Sequence, residues 1–246
     1  MEGMNMKRAM LLAGAIAMLL SVSSVPCFAE RPANGIQFRI GGMYLEHDGD
    51  LWRDTEEVFT IDDSSDFDEV TIGFSFVTAP NNNFEIGLNA DFYDGTYYSQ
   101  YREWTDIDGF PIWHDTNLAI MPLTVDFRYL PWGRYRIRPG GRQVRKPVFY
   151  VGAGIGVSFW YYEEIGDFID FDDVDLPVIT DQFEDSGAAF ETHVLAGVEI
   201  PVAPRFNFLA QGRYSWADDT MGEDFSGFGE IDLSGTTISV GGSFRF

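Results

Sequence analysis

The chain has 246 residues, with 39 acidic against 16 basic side chains and a formal net charge of −23 at pH 7. An acid excess of that size repels phosphates and excludes nucleic acid as a partner. The single cysteine, Cys27, excludes a disulfide framework and a thiolate metal site, and no residue pattern calls for a cofactor.

Lys7 and Arg8 precede an apolar run at residues 9–20, followed by a polar stretch and the small residues Cys27 and Ala29. That order predicts a secretory signal peptide over residues 1–29, cut before Glu30. The run is too short to span a bilayer, which takes about 20 apolar residues of helix. The expected organisation is therefore a signal peptide, 1–29, and one domain, 30–246.

Beyond the signal, apolar residues recur with period two. Ile36, Phe38 and Ile40 face away from Gln37, Arg39 and Gly41. Val70, Ile72, Phe74 and Phe76 alternate with Thr71, Gly73 and Ser75, and Phe84 to Phe92 alternate with Glu85, Gly87, Asn89 and Asp91. Leu123, Val125, Phe127 and Tyr129 oppose Thr124, Asp126 and Arg128; Phe149 to Phe159 oppose Gly152, Gly154, Gly156 and Ser158. Phe190, Val194, Ala196, Val198 and Ile200 oppose Glu191, His193, Gly197 and Glu199, while Phe206, Phe208, Ala210, Tyr214 and Trp216 oppose Gln211 and Arg213. The chain closes on Ile238, Val240, Phe244 and Phe246, opposed by Ser239, Ser243 and Arg245. Period two is the signature of a strand with two unlike faces.

Eight such segments predict an all-β fold, an eight-stranded antiparallel up-and-down transmembrane β-barrel preceded by a cleaved signal peptide. In a soluble sandwich the large apolar face turns inward and charges lie outside. Here the second face carries glycines, serines and isolated charges, which suit a narrow polar lumen. Each alternation runs long enough to cross a bilayer as a tilted strand. Aromatics gather at the segment ends, Phe84, Tyr129, Trp132, Phe206 and Phe246 at one rim and Tyr44, Phe92, Tyr161, Tyr214 and Trp216 at the other. Short connections (79–83 and 201–205) alternate with long ones (46–69, 94–116, 161–187 and 217–233), as between the periplasmic and outer ends of a membrane barrel. The connection 131–147 breaks that rule, being long on the short-turn side. Alternation within "FTIDDSSDFDEVTI" and "GDFIDFDDVDL" points to the second and fifth strands continuing above the membrane.

The terminal run with Val240, Phe244 and Phe246, and the stretch "VFYVGAGIGVSFW", resemble the small outer-membrane barrels of Gram-negative bacteria, the group of the OmpA membrane domain, OmpX and OmpW. That resemblance implies outer-membrane location, a surround of lipid and lipopolysaccharide, and recognition of Val240, Phe244 and Phe246 by the barrel-assembly machinery. It encodes a barrel and not its task.

The four long segments hold 32 of the 38 acidic residues beyond residue 29, against Arg53 and Arg102. Two readings stand: a solvated repulsive surface, or capture of divalent cations or a basic partner by clustered carboxylates. "DIDG" at Asp106–Gly109 is a fragment of a calcium loop. The turn 131–147 carries Arg134, Arg136, Arg138, Arg142, Arg145 and Lys146 without an acid, and is either a solvated loop or a meeting point with anionic headgroups or a periplasmic partner.

On the polar face, Arg39, Arg128, Arg213 and Arg245 share the lumen with Glu85, Asp91, Asp126, Glu191 and Glu199. Distance from the strand ends puts Arg39, Glu85, Asp126, Arg128, Glu199 and Arg245 near the periplasmic mouth, and Asp91, Glu191, His193 and Arg213 at mid-height. Two stacked ion-pair layers that plug the barrel are expected, since unpaired charge in so narrow an interior is costly.

Catalysis is not expected. A lipid A deacylase of the PagL kind has serine two places after its histidine, where "ETHVLAG" has Leu195, and alternation turns His193 inward. A palmitoyltransferase of the PagP kind uses loop His, Asp and Ser; His47, His114, Asp63–Ser64 and Asp185–Ser186 do not fall in the matching loop. Acyl transfer needs nucleophile, base and oxyanion site in contact. Eight strands leave no open channel. The expectation is a non-enzymatic surface barrel acting through acidic, aromatic loops in envelope integrity, adhesion or surface interaction. The alternative is an OmpW-like passage for small hydrophobic molecules.

Overall fold

Alternating aromatic and β-branched residues favour extended backbone, and strand edges in hydrocarbon have to be paired all the way round. The computed structural model describes residues 34–46, 50–60, 69–137, 143–171 and 176–246. The expected signal peptide, His47 and Asp63–Ser64 lie outside them. The described strands are β1 (Asn34–Leu45), β2 (Glu69–Thr78), β3 (Phe84–Thr105), β4 (Pro111–Tyr129), β5 (Tyr135–Ile137), β6 (Gln143–Arg145), β7 (Val148–Ile169), β8 (Val178–Pro201), β9 (Phe206–Thr220), β10 (Glu230–Asp232) and β11 (Gly235–Arg245). Each long strand pairs antiparallel with the next, and β11 pairs with β1 from Gly35↔Arg245 to Leu45↔Gly235. The ring β1-β2-β3-β4-β7-β8-β9-β11 is therefore a closed eight-stranded up-and-down barrel.

Burial runs opposite to a soluble core. Ile36, Phe38, Ile40, Phe74, Phe127, Val151, Val194, Phe208, Val240 and Phe244 are exposed on the outside of the wall, whereas Gln37, Arg39, Asn89, Arg128, Glu199 and Arg245 are buried within it. Phe84, Tyr129, Trp132, Phe206 and Phe246 form the exposed rim at the end bearing the short turns. At the other rim Tyr44 and Trp216 are exposed, but Tyr161 is buried, its hydroxyl 2.7 Å from Glu184 Oε2 and 2.9 Å from Glu163 Oε1, either of which can accept its one proton.

Two of the segments expected to be loops are largely strand. β3, β4, β7 and β8 run to 22, 19, 22 and 24 residues, against 12 for β1 and 10 for β2, so a four-stranded sheet rises above the ring. The fifth barrel strand, β7, does continue outward; the outward part expected of the second falls on 61–68, outside the described residues. The reason lies in an inversion of the pattern. Near Ala119↔Tyr161 the register runs on unbroken but the polarity of the two faces swaps: the inward positions that carry Gly156 and Ser158 below carry Tyr162, Glu164 and Phe168 above, beside Ile112 and Leu118, while Asn117 and Glu163 face out. Above the lipid the sheet is patterned as it would be in water.

A helix, α1 (Asp50–Val58), absent from the sequence reading, folds between β3 and β10. It buries Leu51, Trp52 and Thr55, and joins Leu51 and Trp52 to Met43, Leu45, Tyr93, Leu118, Ile120, Trp160 and Tyr162 in one apolar cluster. The indole N–H of Trp52 donates to the Asp232 carbonyl at 3.0 Å, and its ring meets Tyr162 edge-on at 6.1 Å. The outer half of the lumen is thus packed with side chains.

Candidate functional site

Below the apolar cluster the lumen holds charge, and the strands deliver it in compensated groups. At the mouth beside the short turns, Glu85 and Glu199 pair with Arg245 and Arg134, Arg134 Nη1 lying 2.8 Å from Glu199 Oε2 and Arg134 Nη2 2.5 Å from Glu85 Oε1. Above it, Arg128 pairs with Asp126 at 2.9 Å. Above that, Arg39 and Arg213 share Asp91 at 2.8 and 2.7 Å, and Arg213 also reaches Glu191 at 2.5 Å. His193 Nδ1 lies 3.3 Å from Glu191 Oε1.

Neutral side chains connect the groups. Gln37 donates to Glu199 at 2.9 Å and accepts from Arg128 at 2.8 Å. Asn89 accepts from Arg128 and from the Ser75 hydroxyl, and Ser75 in turn accepts from Arg39. Tyr150 stacks its ring 5.2 Å from the Arg128 guanidinium carbon and donates to Gln211. Glycine makes the room: a Cβ at Gly73, opposite Asp91, or at Gly87, opposite Asp126, would collide with those carboxylates.

The grouping differs from the two layers expected. Arg39 sits with Asp91 and Arg213 rather than at the mouth, because its guanidinium extends away from the rim to reach Ser75 and Asp91. Among the described residues there are three groups, and each is neutral. The residue missed is Arg134, on the connection treated as a solvated or headgroup-facing loop. Asn82 accepts from the Tyr135 N–H at 2.9 Å and its carbonyl accepts from the Arg134 N–H at 2.8 Å, while Gly133 takes a left-handed turn (φ 66) packed against Asn82. Together they aim Arg134 into the lumen. A charge count could have found it: the four arginines read from the strands leave one of five carboxylates uncompensated.

The lobe above the ring has its own buried polar groups. His114 Nε2 lies 2.8 Å from Ser99 Oγ, in a cage of Phe59, Tyr101 and Phe168, and burial pushes the imidazole pKa down to about 4. Both residues are almost fully buried. Asp185 accepts from the Gly222 and Ser186 N–H groups. Glu164 accepts from the Tyr162 hydroxyl at 2.6 Å, and burial pushes its carboxyl up to about 7. Asp106 Oδ1 accepts from the Asp108 and Phe110 N–H groups, closing the β3–β4 turn. Among the described residues no group of three or more His, Cys, Asp or Glu side chains is arranged to hold a metal. Val240, Phe244 and Phe246 lie on the lipid-facing surface, and Phe246 exchanges backbone hydrogen bonds with Asn34 across the closing seam.

No family model matches the chain, and no curated protein matches it. Among solved structures it is similar to the outer membrane protein OprG of Pseudomonas aeruginosa, at 9% identity and a TM-score of 0.50, over 87% of this chain and 95% of that one. It is also similar to neisserial surface protein A, at 10% identity and a TM-score of 0.48, over 87% and 97% of the two chains. The fold is that of a small outer-membrane β-barrel.

Proposed function

We propose that the chain is a non-enzymatic barrel of the bacterial outer membrane whose working part is the lobe it holds above the lipid. The observation that carries this reading is the contrast between a filled interior and an elaborated outer end. An OmpW-like side passage of small hydrophobic molecules through the wall would have to displace the Trp52–Tyr162 cluster that fills the outer lumen, and passage along the whole lumen would also have to displace three ion-pair groups. The lobe is acidic, and its hairpin tips expose Tyr98, Trp104, Ile107, Phe110, Trp113 and Phe171. Single exposed apolar residues are ordinary on a surface; so many on adjoining hairpins fit a contact surface. A partner of this lobe has positive charge and apolar faces, and the loop carboxylates are where divalent cations would meet the protein. The proposed location follows from a closed wall with an apolar exterior, entered through the signal at 1–29 and assembled through Val240, Phe244 and Phe246.

The test is a trimmed chain in which the β3–β4 and β7–β8 hairpins are shortened to the level of Ala119 and Tyr161. Complementation of a deletion strain is scored by detergent sensitivity and surface attachment. The trimmed barrel is expected to assemble and yet behave like the deletion. Full complementation by the trimmed barrel would place the function in the barrel and overturn the proposal.

A further inference from the structure

The mouth group leaves cationic charge over. Glu85 and Glu199 are already neutralised by Arg134 and Arg245. Arg145 and Lys146 then reach the same cleft, which Arg134, Tyr135, Asn207 and Arg245 also line. Arg145 Nη1 donates to the Ala203 carbonyl at 2.8 Å, and Lys146 Nζ donates to the Trp132 carbonyl. These neutral acceptors fix the two side chains without cancelling their charge. Arg245, 2% exposed, has no hydrogen-bond acceptor for its Nε among the described residues. The cleft therefore combines held cations with spare N–H donors.

Its height is set by aromatics. Trp132 is 65% exposed and meets Phe149 edge-on at 5.4 Å, in the rim where such rings lie at headgroup level. A cation hydrogen-bonded to the backbone of Trp132 stands at the depth of lipid phosphates.

We infer that this cleft binds a phosphate group, delivered by an anionic phospholipid headgroup of the inner-facing leaflet. The inference rests on the membrane placement proposed above. Arg145 and Lys146 form charge-assisted hydrogen bonds to the phosphate oxygens, above a floor in which the carboxylates of Glu85 and Glu199 are already balanced by Arg134 and Arg245. Binding there ties the β5–β6 hairpin to the membrane and holds Arg134 in the mouth.

The experiment uses the full chain refolded in nanodiscs of mixed phosphatidylglycerol and phosphatidylcholine, with lipid retained after detergent exchange read by native mass spectrometry. Wild type should retain phosphatidylglycerol over phosphatidylcholine. Arg145→Gln with Lys146→Gln should weaken that retention about thirtyfold, the factor two cations near an anionic surface supply. Arg102→Gln, on the outer lobe, should leave it unchanged. Inorganic phosphate in the millimolar range distinguishes the sources. No displacement supports the headgroup; displacement supports the same phosphate chemistry from a soluble donor. Equal retention of both lipids by wild type, which needs no variant, would overturn the inference, as would unaltered retention in the double variant. Heat-modifiable migration is read on each sample, so that failure of the barrel itself is seen separately.

Discussion

Replacing Glu164 with glutamine isolates the cost of one carboxylate in the lobe. The side chain points inward from β7 and is 6% exposed, with the Tyr162 hydroxyl as donor and no cation among the causes acting on it. Its ordinary pKa of 4.5 rises to about 7 in the folded chain. A carboxyl raised on folding costs nothing below its unfolded value and its full amount above its folded one. Here that amount is about 3 kcal/mol, developed between pH 4.5 and 7. Glutamine keeps the acceptor for Tyr162 and cannot ionise. The difference in unfolding free energy, variant minus wild type, should be near zero at pH 4 and reach about 3 kcal/mol at pH 8. Urea unfolding in micelles, followed by the emission of the buried Trp52 and Trp160, measures it. His114 acts in the opposite sense: lowered from 6.5 to about 4, it loses stability as pH falls through that window. In the wild type the two slopes nearly cancel between pH 4.5 and 6.5, and Glu164→Gln should uncover the His114 slope. An equal difference at pH 4 and pH 8 would mean that the Glu164 carboxyl is not raised on folding.

Arg128→Ala leaves Asp126 buried without its cation and should destabilise the refolded barrel by about 3 kcal/mol, at the low end for a broken buried pair because water can enter the lumen; planar-bilayer recordings should still show no conductance, since the apolar cluster remains above it. Trp52→Ala removes the largest side chain that α1 contributes to that cluster and should cost about 3 kcal/mol in urea unfolding, with faster proteolysis near residues 46–60. Deleting Phe246, or replacing it with Lys, should lower the amount of heat-modifiable barrel in the outer membrane; unchanged amount and migration would count against the terminal run as an assembly signal.

The membrane-spanning ring was legible because lipid outside and charge inside impose strict period two, from Ile36 to Phe246. Legibility failed where that contrast ends. "LAIMPL" and "FWYY" are apolar on both faces, which is what a wall needs when lipid covers one side and Trp52 the other, yet a period-two reading sees only a lapse. Most of the lobe reads as loop from sequence because the polarity of the two faces swaps near Tyr161, so that Glu163 and Asn117 look like loop polarity, and only the outward continuation of β7 shows as alternation. Arg134 has no period at all; a turn residue is placed by Asn82 and Gly133, far away in sequence or conformationally specific. Arg39 shows the reverse difficulty, since its position was readable and the reach of its side chain was not.

Which end of the barrel faces the exterior decides the role of the lobe and of the basic cleft alike. Single cysteines placed at Ile107, fully exposed at the β3–β4 tip, and at Pro147, beside the basic cleft, would be treated on intact cells with a membrane-impermeant maleimide. Labelling is expected at position 107 in intact cells and at position 147 only after the outer membrane is permeabilised. Labelling of 147 with protection of 107, or equal labelling of both in intact cells, would contradict that orientation.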